Sequence, residues 1–415
     1  MELMSLSVQN FRTYKKQTFE FSPFITLIIG PNAVGKTNII EAIYTCAIGK
    51  SFRAETESDM VRWGEEIARI SAVVIIGNTN NVNPTSLRNA GLRGASEYEM
   101  VNKTEDTRLE LVITTGVVNG EKVPIKKYMV NGVSRRQIDF VGNLRIVLFS
   151  PSDLEIVTDS PSLRRQYLNS VLVQTDREYR RNLLSYERGL RQRNRLLDVI
   201  KEGKAQRSQL LFWDQLLIKT GSYLTDIRGS YIDFVNEYVL NDFHYRIIYD
   251  KSIISELRLE QYKEEEVAAG STLVGPQRDD FIVTKSQISR RRQGYGGQAN
   301  LKSQDAEEWR DVSRFGSRGE QRLAVLWLKL AELEFLTERS REAGSGLAKQ
   351  DLASQDSARP ILLLDDIFSE LDEESRNIVL SIIDKQQTII TSAEEEVTQL
   401  FNKTKNVKII RLPMH

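Results

Sequence analysis

The chain has 415 residues, 40% hydrophobic and 27% charged, with 24 Gly and 9 Pro. That length corresponds to roughly two to three domains, and the composition excludes collagen-like, disulfide-scaffold and wholly disordered classes. Lysine plus arginine (57) balance aspartate plus glutamate (57), and there is one cysteine, Cys46, with two histidines, His244 and His415. An internal disulfide and a Cys-based zinc site are therefore excluded, and nucleic-acid binding requires a local basic face rather than overall charge.

The start MELMSLSVQNF lacks a basic segment followed by an apolar run, and no stretch of 18 apolar residues occurs. The expectation is a cytoplasmic chain with no membrane partner. The first 45 residues read as three strands and a helix: residues 3–7 alternate, 18–21 are β-prone, and 26–29 form a continuous apolar run suited to a buried strand. That run enters Gly30, Pro31, Asn32, Ala33, Val34, Gly35, Lys36 and Thr37, which spell G-x-x-x-x-G-K-[ST]. The two glycines let successive backbone N–H groups turn inward around phosphate oxygens, and the helix that follows adds its positive end. Lys36 is expected to reach the β and γ phosphates of ATP and the Thr37 hydroxyl to coordinate Mg²⁺. Asn38 and Glu41 open that helix, where Glu41 reads as structural rather than catalytic. Residues 108–130 carry two further strand-like runs around Asn119-Gly120, a hairpin signal.

From Pro151 the pattern turns helical, with a break near residues 203–208. In the first helical stretch Leu183, Leu190 and Leu197 are seven apart, and so are Tyr186, Arg193 and Ile200, a heptad seam with one polar fault at Arg193. The second carries Trp213, Leu217, Thr220, Leu224, Ile227, Tyr231, Phe234 and Tyr238 at spacings of four and three. A short antiparallel coiled-coil arm and a helical bundle packed on the rest both satisfy this periodicity. Residues 162–207 hold 12 Lys+Arg against 5 Asp+Glu, and Arg188, Arg191 and Arg195 are the candidate contacts of this basic run with DNA phosphates. Strand-forming sequence returns at residue 271. The domain reading is a head from 1–150 and 271–415 and a helical arm from 151–270. Three Gly-, Ser-, Asn- and Gln-rich stretches at 78–106, 286–311 and 339–359 read as mobile surface insertions in the head.

Towards the C-terminus, FGSRGEQRLAVLWLKLAELEFL places Ser317, Arg318, Gly319 and Glu320 as cap and first turn of an apolar-faced helix. Residues 360–366, PILLLDD, are aliphatics ending in two carboxylates. Such a strand is buried on both faces and presents its C-terminal end to ligands, which places Asp365 beside the P-loop, holding Mg²⁺ through water, and Asp366 where it polarises the attacking water.

The order P-loop, SRGE, then LLLDD resembles that of ABC-type ATPases, in which the signature motif faces the γ-phosphate held by another head. Ser317 and Gly319 match that motif, whereas Arg318 stands where transporters usually carry glycine. Ser369 and Asp372, in SELD, resemble the D-loop, and Thr391 takes the switch position, with only a hydroxyl to offer the γ-phosphate.

NFRTY, GPNAVGKTNIIEAI, LFSPSDLEIVTDSPSLRRQYL, GPQRDDF, SRGEQR and PILLLDDIFSELD together resemble the RecF family of bacterial DNA replication and repair proteins. The resemblance implies an α/β fold, an ABC/SMC-type P-loop ATPase head with an inserted helical arm. It also implies an ATP-dependent homodimer that clamps double-stranded and gapped DNA and works with RecR and RecO in recombinase loading, with slow hydrolysis as a timer. GPQRDDF carries Gln277 where the family often has histidine. An ABC transporter ATPase would require a Q-loop glutamine and a switch histidine, and an SMC-like or nuclease-associated ATPase a far longer coiled coil or a separate catalytic domain.

Overall fold

A computed structural model describes residues 1–75, 106–239, 244–287, 308–344, 359–401 and 406–413. The bodies of the three predicted insertions lie outside the described residues. Their margins are regular structure: Asp280–Gln287 and Glu308–Asp311 are paired strands, and the helix Arg318–Gly344 runs into the third stretch. Two compact units interleave along the chain, one from Met1–Leu148, Leu336–Phe368 and Asn377–His415, the other from Phe149–Phe335 and Ser369–Arg376.

The first unit is built on two sheets. Six antiparallel strands run in the order Tyr14–Glu20, Glu2–Phe11, Ile67–Ile75, Asp106–Thr114, Lys126–Val130, Val133–Arg135. Their alternation is the expected half-buried pattern: Leu3, Leu6 and Val8 face the core, as do Ala68, Ile70 and Ala72, while Ser7, Gln9 and Arg69 face out. The Asn119-Gly120 hairpin is present between Val117–Val118 and Glu121–Lys122, with both central residues in the left-handed region (φ 51° and 82°) that a type I′ turn demands.

The second sheet has the order Ile146–Phe149, Ile361–Asp365, Thr388–Ser392, Ile25–Ile29, Val407–Arg411, and the last four strands are parallel. ITLII, ILLLD and TIITS are buried at every position, as strands covered on both faces must be. The helix Lys36–Ile48 touches strands of both sheets, and every one of its residues except Thr37 is buried.

In the second unit the helices Arg177–Lys201 and Leu211–Glu237 pack against each other antiparallel. Asp176 accepts from the Tyr223 hydroxyl at one end and Arg193 pairs with Asp214 at the other. Within the first helix the buried line is Tyr179, Tyr186, Arg193 and Leu197, with Leu183 and Leu190 only half-buried. The polar fault is thus buried as completely as Leu197 and Tyr179. Arg193 is wholly enclosed and donates to Asp214 (2.7 Å), Glu266 (2.7 Å) and Thr272 (2.8 Å). Removing one partner of such a set strands a buried charge, at a cost of about 3–5 kcal/mol, so the register of the pair is held by charge as well as by apolar packing.

The region 151–270 is less purely helical than its periodicity suggests. Tyr245–Asp250 is a strand, paired antiparallel with Asp280–Gln287. GPQRDDF is structural here: buried Asp279 accepts from Arg228 (2.8 Å), the Tyr249 hydroxyl (2.5 Å) and the Ser252 amide (2.8 Å), Asp280 pairs with Arg164, and Gln277 accepts from the Tyr186 hydroxyl.

Under the long helix Arg318–Gly344, Lys329 lies between Asp153 (3.4 Å) and Glu332 (3.2 Å), beside a Tyr167–Tyr231 hydroxyl pair (2.6 Å). Burial, opposed by Lys329 and reinforced by Asp153, pushes the Glu332 carboxyl up from its ordinary 4.5 to about 7. Since the folded state then holds a proton that the unfolded chain releases between these values, Glu332 favours folding below pH ~4.5 and loses that contribution as pH rises through ~7. Glu332→Gln is expected to remove about 2–3 kcal/mol of this decline. Urea midpoints at pH 5.5 and pH 8 check it; an unchanged difference between the two pH values in the variant would refute the assignment.

Candidate nucleotide site

Three strand ends of the parallel sheet converge on this site. Ile25–Ile29 runs into the loop 30–35, Ile361–Asp365 ends in the two carboxylates, and Thr388–Ser392, which lies between them, ends in Thr391 and Ser392. Gly35 has φ +106° and a Cβ there would meet the Tyr14 hydroxyl at 2.9 Å, so backbone and crowding both demand glycine. The Tyr14 hydroxyl in turn donates to the Gly35 carbonyl (3.2 Å). Ala33 also has positive φ, at 66°.

Lys36 is folded over the loop, its Nζ donating to the carbonyls of Gly30 (2.7 Å) and Pro31 (3.0 Å). Burial lowers its pKa, while Asp366 and Asp365 act in the opposite direction. The Thr37 hydroxyl donates to Asp365 Oδ1 (3.2 Å) across a separation of 328 residues, so the P-loop threonine and the strand-end carboxylate expected to share a cation are adjacent. Burial pushes the Asp365 carboxyl up, against the hydrogen bonds from Thr391 and Thr37. A hydroxyl and a carboxylate side by side form an all-oxygen donor set that suits Mg²⁺, which is usually held by one or two carboxylates together with substrate phosphates. No group of three or more His, Cys, Asp or Glu that could hold a metal occurs among the described residues.

Asp366 follows in the left-handed region (φ 54°), its amide donating to the Thr391 carbonyl (3.2 Å) and hydroxyl (3.1 Å). Thr391 is wholly buried and spends its one proton on Asp365 Oδ1 (2.6 Å). Glu41 is a clamp on the P-loop helix. It is fully buried and accepts from Arg12 (2.9 and 2.7 Å), Arg53 (3.0 and 2.8 Å) and Ser51 (2.6 Å). Burial pushes its carboxyl up, but these donors outweigh it and hold the pKa below the ordinary value. Arg53 also bonds Asn38, which reaches Thr13 (2.8 Å). Arg12 and Arg53 escaped the sequence reading, although NFRTY and KSFRAE flank the loop and helix; nothing in one sequence says that both guanidinia converge on one carboxylate.

The signature residues belong to the second unit. Ser317 and Glu320 form a reciprocal cap, Ser317 N–H to the Glu320 carboxylate (2.9 Å) and Glu320 N–H to the Ser317 hydroxyl (3.2 Å). Lys285 anchors Glu320 (2.8 Å). Because the Ser317 hydroxyl only accepts in this cap, its proton is not spent there. Ser317, Arg318 and Gly319 are exposed. Of the D-loop pair, Ser369 is exposed, while Asp372 caps the next helix through Ser375 N–H (2.8 Å) and Glu370 between them pairs with Arg322 (2.6 Å).

Arg188, Arg191 and Arg195 are all exposed and lie on one face of their helix. The wider basic run is diminished: Arg164 and Arg193 are buried in ion pairs, and Arg165, Arg180 and Arg207 donate to backbone carbonyls.

The RecF/RecN/SMC N terminal domain family matches residues 2–412. The DNA replication and repair protein RecF of Herpetosiphon aurantiacus is 33% identical over 95% of this chain and 94% of its own length. That of Lachnoclostridium phytofermentans is 30% identical over 99% and 98%. The solved structure of the recombination mediator protein RecF-ATPrS in the RecFOR pathway matches with a TM-score of 0.72 at 27% identity, covering 99% of this chain and 96% of that one. The corresponding RecF-ATP structure gives 0.70 at 29%, covering 95% and 92%. Parallel sheet, P-loop and strand-end carboxylates define an α/β P-loop head of the ABC/SMC type. Within that class, the chain belongs to the RecF family of DNA replication and repair proteins. No helix among the described residues is long and apolar enough to cross a membrane.

Proposed function

We propose that this protein binds ATP with Mg²⁺ at the P-loop and uses it to pair two copies around DNA in recombinational repair and replication. The observation that carries the reading is the 3.2 Å bond between Thr37 and Asp365, the two oxygens a cation between protein and phosphates requires. Its support from relatives is that solved RecF structures are described with ATP and ATPrS. In this reading Lys36 and the backbone of residues 30–37 hold the triphosphate, and Thr37 and Asp365 hold Mg²⁺. Asp366 orients the attacking water. The exposed cap of Ser317, Arg318 and Gly319, anchored by Glu320, together with Ser369 and Asp372, completes the site of a second copy. Hydrolysis, stimulated by DNA, is slow and resets the assembly rather than driving it.

DNA is the polyanion best matched by Arg188, Arg191 and Arg195, whose guanidinia read backbone rather than bases. Single-strand gaps and the partners RecO and RecR follow from family membership, in line with relatives described as recombination mediators in the RecFOR pathway. Sedimentation with gapped duplex, with and without ATP, tests assembly and DNA dependence together. The expected result is a dimer on DNA only with nucleotide; solitary particles in every condition overturn the proposal. Charge reversal at Arg188, Arg191 and Arg195 is expected to weaken duplex binding and to flatten the plot of log affinity against log salt by up to about 3 units, roughly one per lost phosphate contact. An unchanged salt slope removes this face from the DNA path.

A further inference from the structure

We infer that Thr391 is the positioning residue of the cation site, holding both carboxylate-bearing residues in place rather than touching the γ-phosphate. The inference rests on the nucleotide reading above and assigns the Mg²⁺ dependence of that site to a residue that contacts neither metal nor nucleotide.

The geometry is specific. Thr391 sits in the strand between the P-loop strand and the carboxylate strand, in register with Ile28 on one side and Asp365 on the other. A hydroxyl carries one proton and two lone pairs. Here the proton goes to Asp365 Oδ1 at 2.6 Å, and a lone pair accepts the Asp366 amide at 3.1 Å. With no exposed surface at Thr391 and its proton spent, the hydroxyl has no donor left for a phosphate oxygen.

Two consequences follow for the neighbours. Asp366 is held at positive φ, a conformation that costs a non-glycine residue free energy and persists where its surroundings impose it; Thr391 supplies both acceptors for its amide. Asp365 Oδ1 has two hydroxyl donors, Thr391 and Thr37. A cation held through a lone pair of the Thr37 oxygen would leave that hydroxyl's proton on Asp365, and Thr391, buried and turned away from solvent, is the second donor that orients the carboxylate. β-Branching stiffens the side chain about χ1 and keeps the hydroxyl aimed.

The test is titration of the full chain with a fluorescent non-hydrolysable ATP analogue, and with the ADP counterpart, across a Mg²⁺ series and in EDTA, alongside melting without nucleotide. Thr391→Val keeps the shape and removes the hydroxyl. It is expected to bind the analogue in EDTA within twofold of the parent, to keep the parental preference for ATP analogue over ADP in EDTA, and to need about tenfold more Mg²⁺ for half-saturation, the usual scale for losing a second-layer partner of a metal ligand. Thr391→Ser keeps the hydroxyl and should stay within threefold of the parental half-saturation, which carries the test even where the valine variant does not fold. A parental Mg²⁺ half-saturation in Thr391→Val, a tenfold rise in Thr391→Ser, or a loss of ATP-over-ADP preference already present in EDTA overturns the inference. A parent that takes up no analogue at any Mg²⁺ concentration overturns the nucleotide reading and this inference with it.

Discussion

Lys36→Ala is expected to lower affinity for ATP by at least a hundredfold in a fluorescent-nucleotide titration and to abolish nucleotide-dependent pairing of the chain. Lys36 is 6% exposed and is held over the loop by the Gly30 and Pro31 carbonyls. It is therefore already desolvated and aimed before any phosphate arrives, and little ordering entropy remains to be lost on binding. Removing one partner of a buried charge pair costs about 3–5 kcal/mol, and each 1.4 kcal/mol is about tenfold in affinity. Alanine gives up the Nζ bonds to the Gly30 and Pro31 carbonyls, so a melting curve of the variant accompanies the titration. An affinity within threefold of the parent would remove Lys36 from the phosphate site.

Asp366→Asn should keep nucleotide binding, reduce hydrolysis at least a hundredfold and leave the ATP-bound pair trapped. The substitution is well matched to its backbone: asparagine, like aspartate, tolerates the left-handed region that φ 54° requires, and the amide bonds to Thr391 do not involve the side chain. What is lost is the carboxylate proposed to polarise water. Single-turnover hydrolysis, measured beside sedimentation with and without DNA, separates the two effects. Hydrolysis at the parental rate would strip Asp366 of that role. Aspartate is one methylene shorter than the glutamate common in ABC sites, so comparison with Asp366→Glu tests whether reach limits turnover.

What could be read from the residues follows how local the determining interaction is. The P-loop and PILLLDD are contiguous, so the buried strands that lead into each were legible, as was the Asn119-Gly120 turn. Arg193 was visible as an interruption in a heptad, but its partners Glu266 and Thr272 come from a distant stretch, and only the fold reveals that the interruption is the core of the seam. Thr391 was placed at a strand end, but sequence cannot say that the carboxylate strand is its immediate neighbour and takes its proton. The strand Tyr245–Asp250 was missed because YRIIYD is short and its pairing partner, Asp280–Gln287, lies beyond two helices. Counting charges over 162–207 overstated the basic face, because burial of Arg164 and Arg193 depends on carboxylates elsewhere.

The strand that feeds the phosphate loop pairs on one side with Thr388–Ser392 and on the other with Val407–Arg411, both far from it along the chain. At roughly 5–20 residues per second, synthesis of the intervening stretch takes some tens of seconds, and ITLII has neither flanking strand until it is made. A chain cut short before residue 388 would thus carry a correctly spelled loop whose strand lacks both of its neighbours in the sheet. The spelling of the loop is written early in the chain, and the sheet that holds it is completed late.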